Sequence, residues 1–441
     1  MMRFAVASTL ALSFVCASVP ADEPGPGGFL ADAKANLNLR TFGFRNDNLD
    51  GTGAPSRTEE WAQGFVVKFQ SGFTPGGIGY GLDALGLAGV TLDSGQGRHV
   101  GSSMIPSDDG RATKTWARLA PTFKARLAST ELRYGALVPQ LPVLMANDGR
   151  VLPQTFEGLQ ISSEAFDRLL LTGGRITRAV GRGSTDRTGL SVAGATRQSD
   201  AFYYGGADWA VDDALKAQYY FARLDDYYLQ HFFGAIHHLQ LGESSEMITD
   251  ARIFSTRSSG ANSTAAGRAG GYVVGGYTEG DTGEIDNRTW SISSEYRHAG
   301  HALMIGYQVV SSGSNFVQPN QGSLEGKGAG GASTYLLTDR FIQGFNRAGE
   351  RTAFAQYGFD FAAVGVVGLK ASVMYLKGTG ADTLGGGSAA EWERDLGVDY
   401  VIQGGPLKGV GLGWRNAISH SELSRNQDLN RAFLTYTLPL L

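Results

Sequence analysis

The chain has 441 residues, 63 of them glycine, and a formal net charge of −4 at pH 7. Charged residues make up only 18% of the chain, below the roughly 25% that is usual in globular domains. The slight negative charge excludes a broadly basic nucleic-acid-binding protein, so we expect no nucleic-acid partner.

The N-terminus has the pattern of a secretory signal peptide. A basic start, Met1–Arg3, precedes a mostly apolar segment, Phe4–Val19, which is too short to span a membrane well. We therefore predict a signal peptide over residues 1–21 and a single domain over residues 22–441. The sole cysteine, Cys16, lies in the predicted signal peptide, so the mature chain would have no disulfide and no thiolate metal site.

Alternation of apolar and polar residues recurs along the chain and predicts β-strands. In IGYGLDA (78–84), the apolar side chains share one face, and in TFKARLA (122–128), Lys124 and Arg126 share the face opposite Phe123. Such alternation indicates strands with one apolar and one polar face. After the predicted signal peptide, no segment has the ~18 uninterrupted apolar residues that a spanning helix needs. We therefore predict an all-β fold.

The predicted connections between strands are of two kinds. Ser129-Thr130 is predicted to form a tight turn, whereas other connections are long and rich in Gly and Ser. Short turns at one end and long loops at the other are typical of outer-membrane barrels. We therefore favour a transmembrane antiparallel β-barrel over the alternative, a soluble secreted sandwich. Long loops are predicted at 255–287, 311–332 and 378–391.

Several long motifs resemble the OprD-like family of substrate-specific outer-membrane porins. The resemblance covers almost the whole mature chain and implies a barrel of 18 strands with an inward-folded constriction loop. It also implies passive uptake of small solutes, often carboxylates, across the outer membrane of a Gram-negative bacterium. The motifs are EWAQGFVVKFQSGFTPGGIGYGLDALGLAGVTLDSG (60–95), LPVLMANDGRVLPQTFEG (141–158), FYYGGADW (202–209), RTAFAQYGFDFA (351–362) and DYVIQGGPLKGVGLGWRNA (399–417).

The segment NDGRVLPQTFEG (147–158) matches the loop that in this family folds inward and narrows the pore. A barrel this wide would otherwise be an open aqueous hole, and selectivity needs polar groups close to the passing solute. We expect Asn147, Asp148, Arg150 and Gln154 to form the constriction. An alternative is that Asp148 and Arg150 only pair with the wall and hold the loop in place.

Basic residues on the polar faces of strands predict a basic ladder in the lumen. With Ser129-Thr130 as a two-residue turn, Arg126 would lie opposite Arg133, and like charges there would need water or an anion. Arg40, Arg126, Arg415 and Arg431 also match ladder-like positions of the family. Alternatively, each is only a solvated interior charge. The whole predicted ladder is Arg40, Lys124, Arg126, Arg133, Arg252, Arg297, Arg415 and Arg431.

The chain departs from the family at Met374 and Gly413, where relatives often have arginine. A thinner ladder favours a wider or less polar path, such as one for an aromatic or hydrophobic monocarboxylate. The alternatives are a weakly selective general porin and, from another class, an outer-membrane enzyme using His237 or His238. GKGAGG (326–331) formally matches a dinucleotide motif, but without a βαβ context we interpret it as a surface loop.

The predicted partners are small-molecule solutes, carboxylates foremost, together with outer-membrane lipid and lipopolysaccharide. No residue spacing in the sequence indicates a metal site, so we predict no metal, no cofactor and no catalytic residue. The sequence leaves open whether three barrels associate into a homotrimer.

Overall fold

The computed structural model describes residues 28–50, 56–95, 97–99, 103–320, 322 and 332–441. These residues form a closed barrel of 18 antiparallel strands, which confirms the predicted fold class. The predicted signal peptide lies outside the described residues, so its boundary at residue 21 stays a prediction. In the described part of the chain, no helix is long and apolar enough to cross a membrane.

The barrel strands are numbered β1 to β18 in chain order. They are β1 Lys34–Asn48, β2 Arg57–Gln70, β3 Gly79–Asp93, β4 Thr115–Leu127, β5 Thr130–Leu137, β6 Thr155–Phe166, β7 Leu169–Val180, β8 Phe202–Ala210, β9 Leu215–Leu224, β10 Tyr228–Gly242, β11 Ser245–Ser258, β12 Asp286–His298, β13 His301–Val310, β14 Arg351–Asp360, β15 Leu369–Asp382, β16 Ser388–Val401, β17 Gly411–Ser421 and β18 Gln427–Pro439. The loops carry two short hairpins, Ser107–Asp108 with Arg111–Ala112 and Gln140–Leu141 with Leu144–Met145. One short helix, Ala265–Ala269, and three single 3₁₀ turns, Gly260–Ser263, Glu279–Asp281 and Phe361–Val364, complete the described secondary structure.

The first and last strands close the barrel. β1 pairs antiparallel with β18, from Asn36 opposite Pro439 to Asn48 opposite Gln427, and every other strand pairs with its neighbours in the chain. The closed sheet therefore has no free edge. A free edge in hydrocarbon would leave backbone N–H and C=O groups unpaired, at a cost of several kcal/mol each.

Connections differ in length between the two ends of the barrel, as the sequence predicts. One end has two-residue turns at 128–129, 167–168, 243–244 and 299–300. The other end has loops as long as 259–285 and 311–350. All three predicted loops have other bounds in the structure. The loop predicted at 255–287 is 259–285, and the loop predicted at 311–332 continues to 350. The loop predicted at 378–391 is only 383–387, because β15 and β16 extend further.

The predicted turn at Ser129-Thr130 is wrong by one residue. The turn residues are Ala128 and Ser129, and Leu127 pairs with Thr130. Ala128 has a φ of +49°, a left-handed conformation that alanine rarely adopts. The usual residue preferences of turns therefore do not predict a turn at Ala128.

The corrected turn also changes which charged residues face each other. Arg133 lies opposite Lys124, and Arg126 lies opposite Glu131. The predicted cross-strand pair of Arg126 and Arg133 is therefore wrong. Since the shift in register is two residues, all three basic side chains keep the predicted face of the sheet.

Apolar side chains cover the outer wall of the barrel. Leu119 is 72% exposed, Tyr134 64% and Ile305 61%, whereas the inward-facing Glu393 and Gln230 are fully buried. This is the inverse of a water-soluble protein, in which large apolar side chains are buried. It fits a wall that contacts lipid outside and polar groups inside.

Glycines opposite aromatic residues pack the wall. A Cβ at Gly89 would lie 2.2 Å from an atom of the Trp116 ring, so the ring occupies the space that a side chain would take. The same arrangement explains part of the high glycine content. Such pairs are Gly43 with Trp61, Gly89 with Trp116, Gly206 with Tyr220, Gly306 with Phe354 and Gly413 with Phe433.

We predict that Gly89→Ala lowers the free energy of unfolding by about 1–3 kcal/mol, because the buried Trp116 ring must move. Gly205→Ala is the matched control, since a Cβ there meets nothing within 4 Å, and it should change stability little. Urea unfolding of the purified barrel in detergent micelles measures both. Equal stability of the two variants would contradict this packing.

Candidate functional site

A cavity of about 1460 Å³ occupies the inside of the barrel. Its lining extends from Asp212, in a connection at the short-turn end, to Ser184, in a loop at the other end. Ten of the described lining residues are Arg or Lys and five are Asp. The lumen is therefore cationic, although the whole chain carries a slight negative charge.

The loop 138–154, called the first inward loop, folds into the lumen as predicted. Asn147, Asp148 and Arg150 all line the cavity. The Asp148 carboxylate accepts two hydrogen bonds from Arg40, at 2.5 Å from Nη1 and 3.0 Å from Nη2. This bidentate pair neutralises both charges and fixes the loop to β1. Asp148 therefore holds the loop, which agrees with the alternative interpretation for this residue.

Gln154 anchors the first inward loop and does not line the cavity. It is fully buried, accepts a hydrogen bond from the Asn147 N–H at 3.1 Å, and donates to the Asn320 carbonyl at 3.4 Å. Asn147 also accepts from Arg182 at 2.6 Å and donates to Ser333 at 2.5 Å. These contacts connect the first inward loop to the long loop after β13.

The described parts of that long loop, 311–320, 322 and 332–350, also fold into the barrel and are called the second inward loop; the sequence analysis did not predict this. Leu337 and Phe345 are buried against the wall. Gln318 donates to the Pro142 carbonyl at 2.6 Å. Arg252 donates to the Tyr335 carbonyl at 2.8 Å and lies 4.0 Å from the centre of its ring. The predicted surface segment 326–331 lies outside the described residues.

Glu393 of β16 holds the second inward loop. Its fully buried carboxylate accepts hydrogen bonds from the backbone N–H groups of Phe341, Ile342 and Gln343 at 3.1, 3.1 and 2.6 Å. Because the three N–H groups are consecutive, this contact fixes the backbone beside Arg340, which lines the cavity.

Three arginines crowd together at the cavity. Burial lowers the pKa of the Arg150 guanidinium well below its usual range, and the nearby Arg431 and Arg182 lower it further. Burial and Arg431 likewise lower the pKa of Arg182, to about 9. Guanidinium groups that repel each other in a partly dry site attract an anion, which relieves the repulsion.

Five of the eight predicted ladder residues line the cavity. Most of the five have an acid partner: Arg415 makes two bonds to Asp399, at 2.8 and 2.9 Å, and Arg252 pairs with Asp250 at 2.6 Å. The wall therefore carries guanidinium groups that are held in place by carboxylates. The five are Arg40, Arg133, Arg252, Arg415 and Arg431.

The other three predicted ladder residues do not line the cavity. Lys124 is buried and pairs with Asp83 at 2.6 Å. The Arg126 guanidinium lies 4.0 Å from the centre of the Phe73 ring, near the short turns. Arg297 forms ion pairs with two glutamates of the wall, Glu246 and Glu295.

Several cavity-lining charges were missed by the sequence analysis. Lys68 and Lys216 lie on strands, where alternation alone indicates their inward face. Arg182, Asp339 and Arg340 lie on loops, where no periodicity marks them. The one local signal that this loop folds inward is the apolar pairs Leu336-Leu337 and Phe341-Ile342, since such pairs are unexpected in a loop exposed to water.

Aromatic rings stand beside the arginines of the lumen. The Phe433 ring covers Gly413, stacks on Phe42 at 5.9 Å between ring centres, and lies 5.1 Å from the Arg415 guanidinium. The Phe341 ring lies 5.3 Å from the Arg431 guanidinium. Met374 is buried beneath the second inward loop, at 3% exposure. Met374 and Gly413, the two departures from the family pattern, thus make part of the interior apolar.

His237 and His238 do not form a joint site. Adjacent strand residues point to opposite faces, so His237 lies exposed on the outer wall, while His238 lines the cavity 3.9 Å from Glu246. Among the described residues, no group of three or more His, Cys, Asp or Glu side chains could hold a metal ion.

Comparison with known proteins gives a consistent result. A sequence model of the outer membrane porin, OprD family, matches residues 27–440. The chain is 32% identical to the porin-like protein GalP of Pseudomonas putida KT2440, over 94% of each chain.

Solved structures are similar over the same extent. The structure of Pseudomonas aeruginosa OccK8 (OprE) is 44% identical and has a TM-score of 0.86, covering 94% of this chain and 100% of that chain. The structure of Pseudomonas aeruginosa OpdK with vanillate is 33% identical and has a TM-score of 0.81, covering 93% of this chain and 100% of that chain.

We predict that Glu393→Gln releases the second inward loop at 341–343, because an amide NH₂ donor replaces one of the two oxygens that accept its three backbone hydrogen bonds. Hydrogen exchange of these amides should become at least about tenfold faster. Glu422→Gln is the control, since exposed Glu422 accepts only one backbone bond, from Ala390 at 2.8 Å. Unchanged exchange at 341–343 in Glu393→Gln would show that apolar packing alone holds the loop.

Proposed function

The chain belongs to the OprD family of outer membrane porins, and from this premise we propose that it selects small carboxylates. As a multi-pass β-barrel of the outer membrane of a Gram-negative bacterium, it would pass these solutes by diffusion. The cationic lining of the cavity carries the proposal. A basic lumen in a chain with net charge −4 concentrates anions where the path is narrowest.

Arg340 is the group best suited to receive a carboxylate. It lines the cavity, and its Nε and Nη2 atoms are buried without a hydrogen-bond partner among the described residues. A guanidinium offers two parallel N–H groups that match the two oxygens of a carboxylate. If the Arg340 side chain turns these donors toward the cavity, a passing carboxylate would satisfy groups that the described residues leave unpaired.

The aromatic rings beside Arg415 and Arg431 favour a solute with a flat apolar body. Each ring lies within about 5.3 Å of a guanidinium, so a carboxylate and an attached ring can be contacted at the same time. OpdK, solved with vanillate, shows that one similar barrel binds an aromatic carboxylate. We extend this class of solute to the present chain.

Binding along this path must be weak, or the solute would not leave. The acid partners of Arg40, Arg252 and Arg415 serve this purpose, because a neutralised guanidinium attracts an anion less than a free one. Outside the bore, the proposed partners are membrane lipid and the lipopolysaccharide of the outer leaflet.

We predict that Arg340→Gln lowers the preference for anions and weakens block of the current by benzoate about tenfold, because a charge-assisted contact is lost. Arg297→Gln is the matched control, since Arg297 does not line the cavity. Single-channel recording in planar bilayers measures the reversal potential and the block. If both variants kept the wild-type values, the proposed role of Arg340 would fail.

We predict a different effect for Phe341→Ala, which removes a ring but no charge. Block by benzoate should weaken several-fold, whereas block by acetate should change little. Phe166→Ala, on the outside at 60% exposure, is the control and should match the wild type. Equal weakening for benzoate and acetate would contradict recognition of the aromatic body.

A further inference from the structure

An arginine on the lipid-facing wall lies among apolar neighbours. Arg175 of β7 pairs with Leu159 on one side and with Tyr203 on the other. Both neighbours are exposed outward, at 37% and 40%. Among the residues that the structure describes, Arg175 has no ion-pair partner, and its guanidinium lies 5.6 Å from the centre of the Tyr203 ring.

Two more arginines join Arg175 in a shallow outer cleft of about 340 Å³. Arg178 donates to Asp200 at 2.8 Å, and Arg187 donates to Glu157 at 2.8 Å from Nε. The cleft therefore holds three guanidinium groups against two carboxylates and has a net positive charge. The side chains of Arg178 and Arg187 are 39% and 68% exposed, so their remaining donors can reach a ligand.

The position of the cleft determines which leaflet it meets. It lies at the end of β7 that leads into the loop 181–201, and long loops face the outside of the cell. An arginine on the lipid face costs roughly 2–4 kcal/mol at the bilayer midplane and about 0–1 kcal/mol near the interface. Tyr203 below the guanidinium is of the type that marks this interface. The three guanidinium groups therefore lie at headgroup depth in the outer leaflet.

We propose that this cleft binds a phosphate of the lipid A part of lipopolysaccharide. A phosphate offers several anionic oxygens, which guanidinium groups contact in a bidentate manner. Lipid A also has acyl chains, which would lie along the apolar wall formed by Leu159 and Ile161. The inference concerns the outer surface and does not depend on which solute passes through the lumen.

Another part of the same rim provides a contrast. On β1 and β2, Arg45 and Arg57 both bind Asp47, at 2.7 and 2.6 Å, and Glu59 lies 4.0 Å from Arg57. Arg98 also binds Glu59 at 2.8 Å and Asp93 at 3.5 Å, so three cations there face three anions and this rim has no excess charge. Arg57→Gln is therefore a matched control for loss of an outer arginine.

The test is titration of the delipidated full-length barrel in detergent with diphosphorylated lipid A, followed by native mass spectrometry. The variant Arg175→Gln/Arg178→Gln/Arg187→Gln should bind at least about tenfold more weakly, and Arg57→Gln should bind as the wild type does. Glu157→Gln/Asp200→Asn removes the competing carboxylates and should bind more tightly. If lipid A affinity falls in the triple arginine variant and rises in the double carboxylate variant, the charge of the cleft, and not misfolding, is the cause.

The inference is overturned if the triple variant binds lipid A as the wild type does. It is also overturned if dephosphorylated lipid A or phosphatidylglycerol binds the wild type equally well, since the cleft would then have no preference for lipid A phosphate. Channel conductance and electrophoretic mobility without heating should be unchanged in the triple variant. This readout separates the outer cleft from the proposed selectivity of the lumen.

Discussion

The structure depends on one constraint: within a membrane, every backbone N–H and C=O group must find a partner in the protein. Pairing of β1 with β18 meets this constraint by closing the sheet. Closure gives every strand one face toward lipid and one toward the bore. The alternating apolar and polar residues of the sequence therefore face outside and inside, respectively. A ring of 18 strands then encloses more space than side chains can fill.

Two inward loops fold into that space, and carboxylates hold them there. Asp148 binds Arg40, and Glu393 binds three consecutive N–H groups of the second inward loop. These carboxylates make structural contacts, whereas Arg340, which lines the cavity, has two buried donors without a partner among the described residues. The interior is thus rich in charges of both signs, but the charges left for a solute are mainly positive. Fixed loops that present cations to the bore can select solutes without a moving part.

The strands could be predicted because alternation is a local signal, and the first inward loop because the segment 147–158 resembles the constriction loop of the family. The register of β4 and β5 could not, since the turn places Ala128 in a left-handed conformation that its side chain disfavours. The second inward loop was missed for another reason. Its position depends on Glu393, more than forty residues away in the chain, and such a contact leaves no local pattern. The ladder positions Lys124 and Arg297 face inward, but other residues separate them from the cavity.

The central claim is that the bore is cationic and therefore prefers anions, in a chain whose net charge is −4. The most direct test is the reversal potential of the wild-type channel in a planar bilayer under a gradient of KCl. The account predicts a reversal potential between zero and the equilibrium potential of chloride. When small carboxylates replace part of the chloride, the reversal potential should shift further, because the carboxylates also permeate. A reversal potential between zero and the equilibrium potential of potassium would contradict the account, because the arginines of the lumen would then not govern the passage of ions.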